Sequence, residues 1–218
     1  MNIWCNFGII WNIKMVTYNL RTFAFAILGL AFLTYGIIFL STQNLDSIDF
    51  NKALTHISTT ISINVVLWSL FVKWAWKWKI FYPWLVPFPN LSGEWEGELK
   101  SNWKEKSLEP IPTEIKITQT FFNVQVKIKT NESRSHSIGA SFDIERDRGL
   151  EQLIYSYINT PNSSVRDRSE IHYGSTLLTF EGFKVNEMEG QYWTDRETTG
   201  EIKLKKKRCL TLYKRNAG

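Results

Sequence analysis

The chain has 218 residues, of which 44% are hydrophobic, and carries a formal net charge of +5 with a pI near 9.1; this allows one domain plus additional segments. The basic excess is confined: residues 1–90 hold 6 Lys+Arg against 2 Asp+Glu and the remainder 20 against 19, so no DNA or RNA polymer is expected as a partner of the C-terminal part. Cys5 and Cys209 stand in unrelated contexts and His56, His136 and His172 show no ligand spacing, which excludes a disulfide framework, a zinc site and a Cys/His nucleophile as first readings.

Residues 1–21 are read as a cytoplasmic N-terminal segment without an interpretable pattern, in which Met15 offers an alternative start. From Thr22 to Leu45 no charge occurs, and the apolar part matches the ~20 residues that cross hydrocarbon. A second uncharged run, Ala53–Val72, is richer in hydroxyls. Together they predict a two-helix transmembrane hairpin over residues 22–72, with spans at about 22–41 and 53–72. Lys14 and Arg21 precede the first span, Asp46 and Asp49 lie in the connector, and Lys73, Lys77 and Lys79 follow the second. The positive-inside rule then puts both termini in the cytoplasm. A signal peptide is the competing account, but the apolar run is too long and no cleavage site follows it.

Each span carries a stripe of small or weakly polar residues: Thr22, Ala26, Gly29 and Gly36 on the first, Thr55, Ser58, Thr59, Ser62 and Ser69 on the second. Such surfaces associate in lipid, where apolar bulk gains nothing from leaving equally apolar tails. The simpler expectation is that the stripes face each other within one hairpin; the alternative is contact between subunits.

Residues 73–90 form an interfacial segment and a proline-rich linker. Its opening "KWAWKWK" reads as an aromatic belt at the headgroups with lysines meeting anionic lipid. A helix continuing to Phe81 would put Trp74, Trp78 and Phe81 on one face, and Pro83 should end it.

Near Leu91 the period changes from 3.6 to 2. Strands are predicted at Gly93–Trp103, Thr113–Thr120, Phe121–Thr130, Ser135–Glu145, Leu150–Asn159, Glu170–Phe180, Met188–Arg196 and Gly200–Lys207, separated by turn-rich "NES", "RDRG", "TPNSS", "VNE" and "ETTG". Residues 91–218 therefore read as a small eight-stranded antiparallel up-and-down β-barrel, lipocalin-like in its "SGEWEGELK" start, with a two-sheet sandwich as alternative. Trp95 points inward as a core anchor or as the closure of one barrel end.

The segment "EGQYWTDRETTGEIKL" carries the candidate site. Gly190, Tyr192, Thr194 and Arg196 share one strand face. Inside a barrel a guanidinium needs a buried acid or an anionic guest, and its planar fork suits phosphate. An outward Arg196 paired at the rim with Asp195 or Glu197 is the other reading.

With its paired spans, its basic aromatic exit, "LSGEWEGEL", "HYGSTLLTFEG" and "GQYWTDRETTGEIKL", the chain resembles the membrane-anchored effectors of bacterial cyclic-oligonucleotide-based antiphage signalling (CBASS) from about Thr22 to Lys207. The resemblance implies a barrel that binds a cyclic dinucleotide made by a partner nucleotidyltransferase. It further implies self-association of the liganded protein, disruption of the bacterial inner membrane, and no enzymatic step or cofactor. It assigns Thr194 and Arg196 as the ligand-contacting pair; Tyr192, Trp95 and His172 are added from strand geometry. A tethered carrier of an apolar molecule and a solid barrel that recruits a protein are the alternatives from other functional classes.

Overall fold

The computed structural model describes residues 20–42, 50–102 and 109–207, and the chain divides into two compact units, Met1–Pro89 and Asn90–Gly218. Lys14, Met15, both cysteines, Asp46, Asp49 and Trp103 fall outside the described residues.

In the first unit, α1 (Leu20–Thr42) and α2 (Phe50–Lys73) have 23 and 24 residues, about 35 Å each at the α-helical rise. Both are long and apolar enough to cross a membrane. Phe25, Phe32 and Leu40 stay more than 70% exposed, a surface that water would penalise and hydrocarbon would cover. The helices meet through larger groups than the sequence suggested. Phe23 packs on Trp68 with ring centroids 5.2 Å apart, Asn64 Nδ2 donates to Thr34 Oγ1 at 2.7 Å, and Thr42 Oγ1 pairs with His56 Nε2 at 2.8 Å.

The hydroxyl stripe of α2 is therefore not in this contact. Thr55, Ser58, Thr59, Ser62 and Ser69 are all exposed, and four of their hydroxyls bond the carbonyl one turn earlier. A Cβ added at Gly29 or Gly36 would meet nothing within 4 Å. Aromatic rings and an amide offer more dispersion and a stronger cross-helix bond than hydroxyls already satisfied by their own helix, so the expected stripe-on-stripe packing is replaced.

Helix α2 stops at Lys73, and short 3-10 turns follow at Ala75–Lys77 and Lys79–Phe81. The continuous face expected through Phe81 is broken because Trp76 turns inward, 2% exposed, against Phe88 at 5.8 Å. The belt still gathers: Trp74 and Trp78 lie 5.2 Å apart, and Trp78 and Phe81 6.4 Å.

The second unit is a closed barrel of eight strands, each antiparallel to its neighbours: β1 (Gly93–Ser101), β2 (Ile111–Gln119), β3 (Val124–Lys129), β4 (Ser133–Glu145), β5 (Leu150–Pro161), β6 (His172–Thr179), β7 (Glu187–Thr194) and β8 (Thr199–Lys206), the last pairing back to β1. Closure leaves no sheet edge and excludes the sandwich. It needs strands to approach where the sheet coils, and glycine provides the room: a Cβ at Gly190 would lie 1.8 Å from the Leu177 carbonyl oxygen. β3 starts three residues later than expected because Thr120 N donates to Asn123 O across a tight turn at 2.8 Å.

The interior has two different halves. Where the chain enters, Leu91, Trp95, Ile117, Phe121, Leu153, Leu178 and Leu204 are at most 2% exposed. Two bonds fasten this plug: Leu91 N donates to Gln119 Oε1 at 2.7 Å, and Trp95 Nε1 to the Leu91 carbonyl at 3.0 Å. At the other end the buried side chains are Thr113, Ser135, Asn159, Thr176 and the tyrosines 155, 157 and 192.

Candidate functional site

Period-two alternation aims every second residue of β5, β6 and β7 at the barrel axis. It delivers Tyr155, Tyr157 and Asn159 from β5, His172, Gly174 and Thr176 from β6, and Tyr192 and Thr194 from β7. Register sets them in rows. Tyr155, Thr176, Tyr192, Gly200 and Ser101 follow one another across five strands, and Tyr157, Gly174 and Thr194 form a row nearer the mouth.

Two glycines seat two phenols. A Cβ at Gly174 would lie 2.5 Å from Tyr157 Cζ, and one at Gly200 would lie 2.4 Å from Tyr192 Cε1. Without side chains at those positions the rings can lie across the neighbouring strand, the Tyr157 hydroxyl end over Gly174 and the Tyr192 ring over Gly200 toward Ser101. Burial pushes all three phenols above their ordinary value; for Tyr157 the Tyr155, Tyr192 and Asp195 groups add to it, and for Tyr192 a bond to Ser101 offsets part. They are neutral donors at physiological pH. The Tyr155 hydroxyl closes no hydrogen bond of good geometry, although the nearby Thr176 hydroxyl moderates its shift. Ser135 Oγ donates to Asn159 Oδ1 at 2.7 Å and completes the polar wall.

Arg196 is not on the strand where the sequence placed it. β7 ends at Thr194, and Asp195 leaves the ladder by exchanging bonds with Tyr173: its amide donates to the Tyr173 carbonyl, and its carboxylate accepts the Tyr173 amide at 3.1 Å each. The turn closes with Glu197 at φ 60° and with Thr194 Oγ1 2.6 Å from Thr198 Oγ1. Arg196 is thus carried to the rim, half-buried, where its amide donates to Thr194 Oγ1 at 3.3 Å. Its guanidinium donates to Ser169 Oγ at 3.4 Å and to the Glu170 carbonyl. Both acceptors belong to the β5–β6 connection, residues 162–171. The same connection is tied to the β3–β4 hairpin at both its ends, by Asn162 Nδ2 to the Asn131 carbonyl at 3.0 Å and by Arg168 to Glu132 at 2.5 Å. It forms a strap between two hairpins at the mouth.

Of the residues singled out by sequence, Tyr192, Thr194, Arg196 and His172 gather at this end; His172 is half-buried, its Nδ1 3.0 Å from the Glu170 carbonyl. Trp95 does not join them. It lies six residues along β1 from Ser101, about 20 Å away at the strand rise, under the Lys206 Nζ at 5.2 Å from its ring. Sequence reasoning missed Tyr157, Tyr155 and Asn159, whose signal was present in the alternating "YSYIN" of β5.

Residues 86–206 match the family described as Cap15, cyclic dinucleotide receptor domain. The chain belongs to that family. Two CD-NTase-associated proteins 15 are similar to it: one from Staphylococcus schleiferi, 34% identical over 69% of this chain and 78% of the relative, and one from Yersinia aleksiciae, 27% identical over 77% and 82%. As a Cap15-type receptor the barrel takes a cyclic dinucleotide, and two apolar helices ahead of a closed eight-stranded barrel fit a CBASS effector. The hydroxyls, phenols and rim guanidinium of the mouth have the donor chemistry that a dianionic ring with two bases calls for.

Proposed function

We propose that this protein is a non-enzymatic CBASS effector whose two helices cross the bacterial inner membrane with both termini and the barrel on the cytoplasmic side. A cyclic dinucleotide from a partner nucleotidyltransferase enters the mouth; its phosphates take donors from Arg196, Thr194 and the phenols, and Tyr157 and Tyr192 offer edges and faces to its bases. The observation that carries this reading is the position of Arg196. It stands at the rim of a hydroxyl-lined interior and holds the strap by two acceptors that a phosphate would outcompete, because a charged acceptor bonds a guanidinium about twice as strongly as a neutral one.

Ligand entry thereby couples to strap release, and the rearranged mouth favours association of barrels. Association concentrates the hairpins in the plane of the bilayer, where weak contacts become effective through multivalency. The outward hydroxyl stripe of α2 is the surface available for such contacts. Clustered hairpins with Trp and Lys at one level then breach the membrane and abort infection. No step needs a catalytic residue. An apolar carrier would need an apolar hollow, and the apolar half of this interior is filled by its own side chains.

Calorimetry of the full chain in micelles against cyclic di- and trinucleotides tests the sensor: a dinucleotide is expected to bind, and Arg196→Ala to abolish the signal. Dye leakage from cells with and without the synthase tests the output. Leakage that does not depend on the synthase would refute nucleotide control.

A further inference from the structure

The outer wall of the barrel is not uniformly charged. Across β7, β8 and β1 the charges alternate in sign from strand to strand: Glu96 faces Lys205, Glu98 faces Lys203, and Lys100 faces Glu201. Glu187 and Glu189 face the same lysines from β7, with Glu187 at 3.1 Å from Lys205. Across β2, β3 and β4 the pattern changes. Lys116, which faces Glu94 on one side, stands opposite Lys127 on the other, and Lys129, which faces Glu114 on one side, stands opposite Arg134 on the other. Like charges directly opposed across a ladder destabilise it. Among the described residues none of these four cations makes an ion pair.

They border a concavity of about 700 Å³ in this part of the wall, which Lys207 joins, which reaches core positions such as Trp95 and Ile115, and where Glu94 and Glu114 are the sole carboxylates. Two large apolar side chains are exposed on the same hairpins. Phe122, 73% exposed, caps the β2–β3 turn at the barrel end where the chain enters, and Ile138, 63% exposed, is thrown outward by the β4 bulge between Ser137 and Gly139.

We propose that this β2–β4 face docks on an anionic lipid surface, with the lysines against headgroups and Phe122 and Ile138 in the interfacial layer. A cluster of cations flanked by protruding apolar groups is the chemistry of a bilayer interface. The tether favours that occupant: twelve residues from Lys79 to Leu91 span at most about 40 Å, so a chain embedded through α1 and α2 keeps a bilayer within that reach of the barrel at all times. A second copy is a poorer match, because on the β7–β8–β1 wall it would offer, the carboxylates each already face a lysine of the same wall across the ladder. The inference rests on the reading that α1 and α2 are embedded in a bilayer.

The test uses the full chain with Cys5→Ser, Cys209→Ser and an environment-sensitive dye on Gln125→Cys, an exposed position on the outer face of β3, in vesicles of phosphatidylcholine with or without phosphatidylglycerol. Flotation with both vesicle types reports embedding, independently of docking; failure to float overturns the bilayer reading itself. In anionic vesicles the dye is expected to shift to the blue and to be quenched by nitroxide-headgroup lipid, and to lose both effects in high salt. Neutralising Lys127 and Lys129 together as Gln should lower the docked-to-free ratio about thirtyfold. Equal emission in both lipids in chains that float, or indifference to the double substitution, overturns the proposal. So does emission that follows protein density rather than lipid charge, which would assign the face to a second copy.

Discussion

Gly174→Ala tests the construction of the mouth more sharply than removal of any side chain. The added methyl would lie 2.5 Å from Cζ and Oη of Tyr157 and 2.8 Å from the Trp193 carbonyl oxygen, about 1 Å inside the separation at which non-bonded atoms are most favourable. The carbonyl belongs to the ladder and cannot retreat, so the phenol must leave its seat. Overpacking of this kind costs about 1–3 kcal/mol, a fall of roughly 4–12 °C in melting temperature for a domain of this size. The displaced ring no longer stands beside Thr194, and loss of one stacking or donor contact lowers ligand affinity roughly 10- to 100-fold. Thermal melts followed by circular dichroism and calorimetry with the cyclic dinucleotide read the two effects separately. Adding Tyr157→Leu to Gly174→Ala should restore the melt and leave binding impaired. A single variant that melts and binds as the parent would refute the seating of Tyr157 on Gly174.

Tyr155→Phe removes a buried hydroxyl that closes no good hydrogen bond, so the melting temperature should stay level or rise slightly; a drop of several degrees would show a partner for that oxygen. Because the folded barrel holds its phenols above the ordinary value of 10.0, their stabilisation is complete below pH 10 and declines as pH rises beyond it. Alkaline melts should show that decline, shallower in Tyr155→Phe, and a flat profile through pH 11 would contradict the burial of these groups. Trp95→Phe should lower stability and leave ligand affinity unchanged in the folded fraction, since Trp95 belongs to the plug; a selective loss of affinity would place it in the site after all.

The strands were readable because alternation is local: "FNVQVKIK" and "YSYINT" point their apolar or aromatic residues one way whatever the rest of the chain does. Boundaries that depend on a remote partner were not. Arg196 follows an unbroken alternation from Gly190, and only the exchange of bonds between Asp195 and Tyr173, 22 residues earlier, ends the strand before it. Trp95 and Tyr192 both read as inward, correctly, but depth along a barrel axis is set by register with strands far off in sequence. The helix stripes misled for a related reason. Small-residue periodicity marks a surface able to associate, whereas the partner actually taken depended on Asn64 finding Thr34 and Trp68 finding Phe23 between the two helices.

The apolar stopper beneath the hydroxylated cup insulates one task from the other. On the reading proposed above, a nucleotide at the mouth would sit over Leu153 and Leu178, which are fully buried, so news of its arrival would pass through the rim and the strands rather than along the axis. The same separation leaves the rim free to vary: its hairpins and strap can change to suit another pair of bases while the lower half, untouched, goes on holding the barrel together.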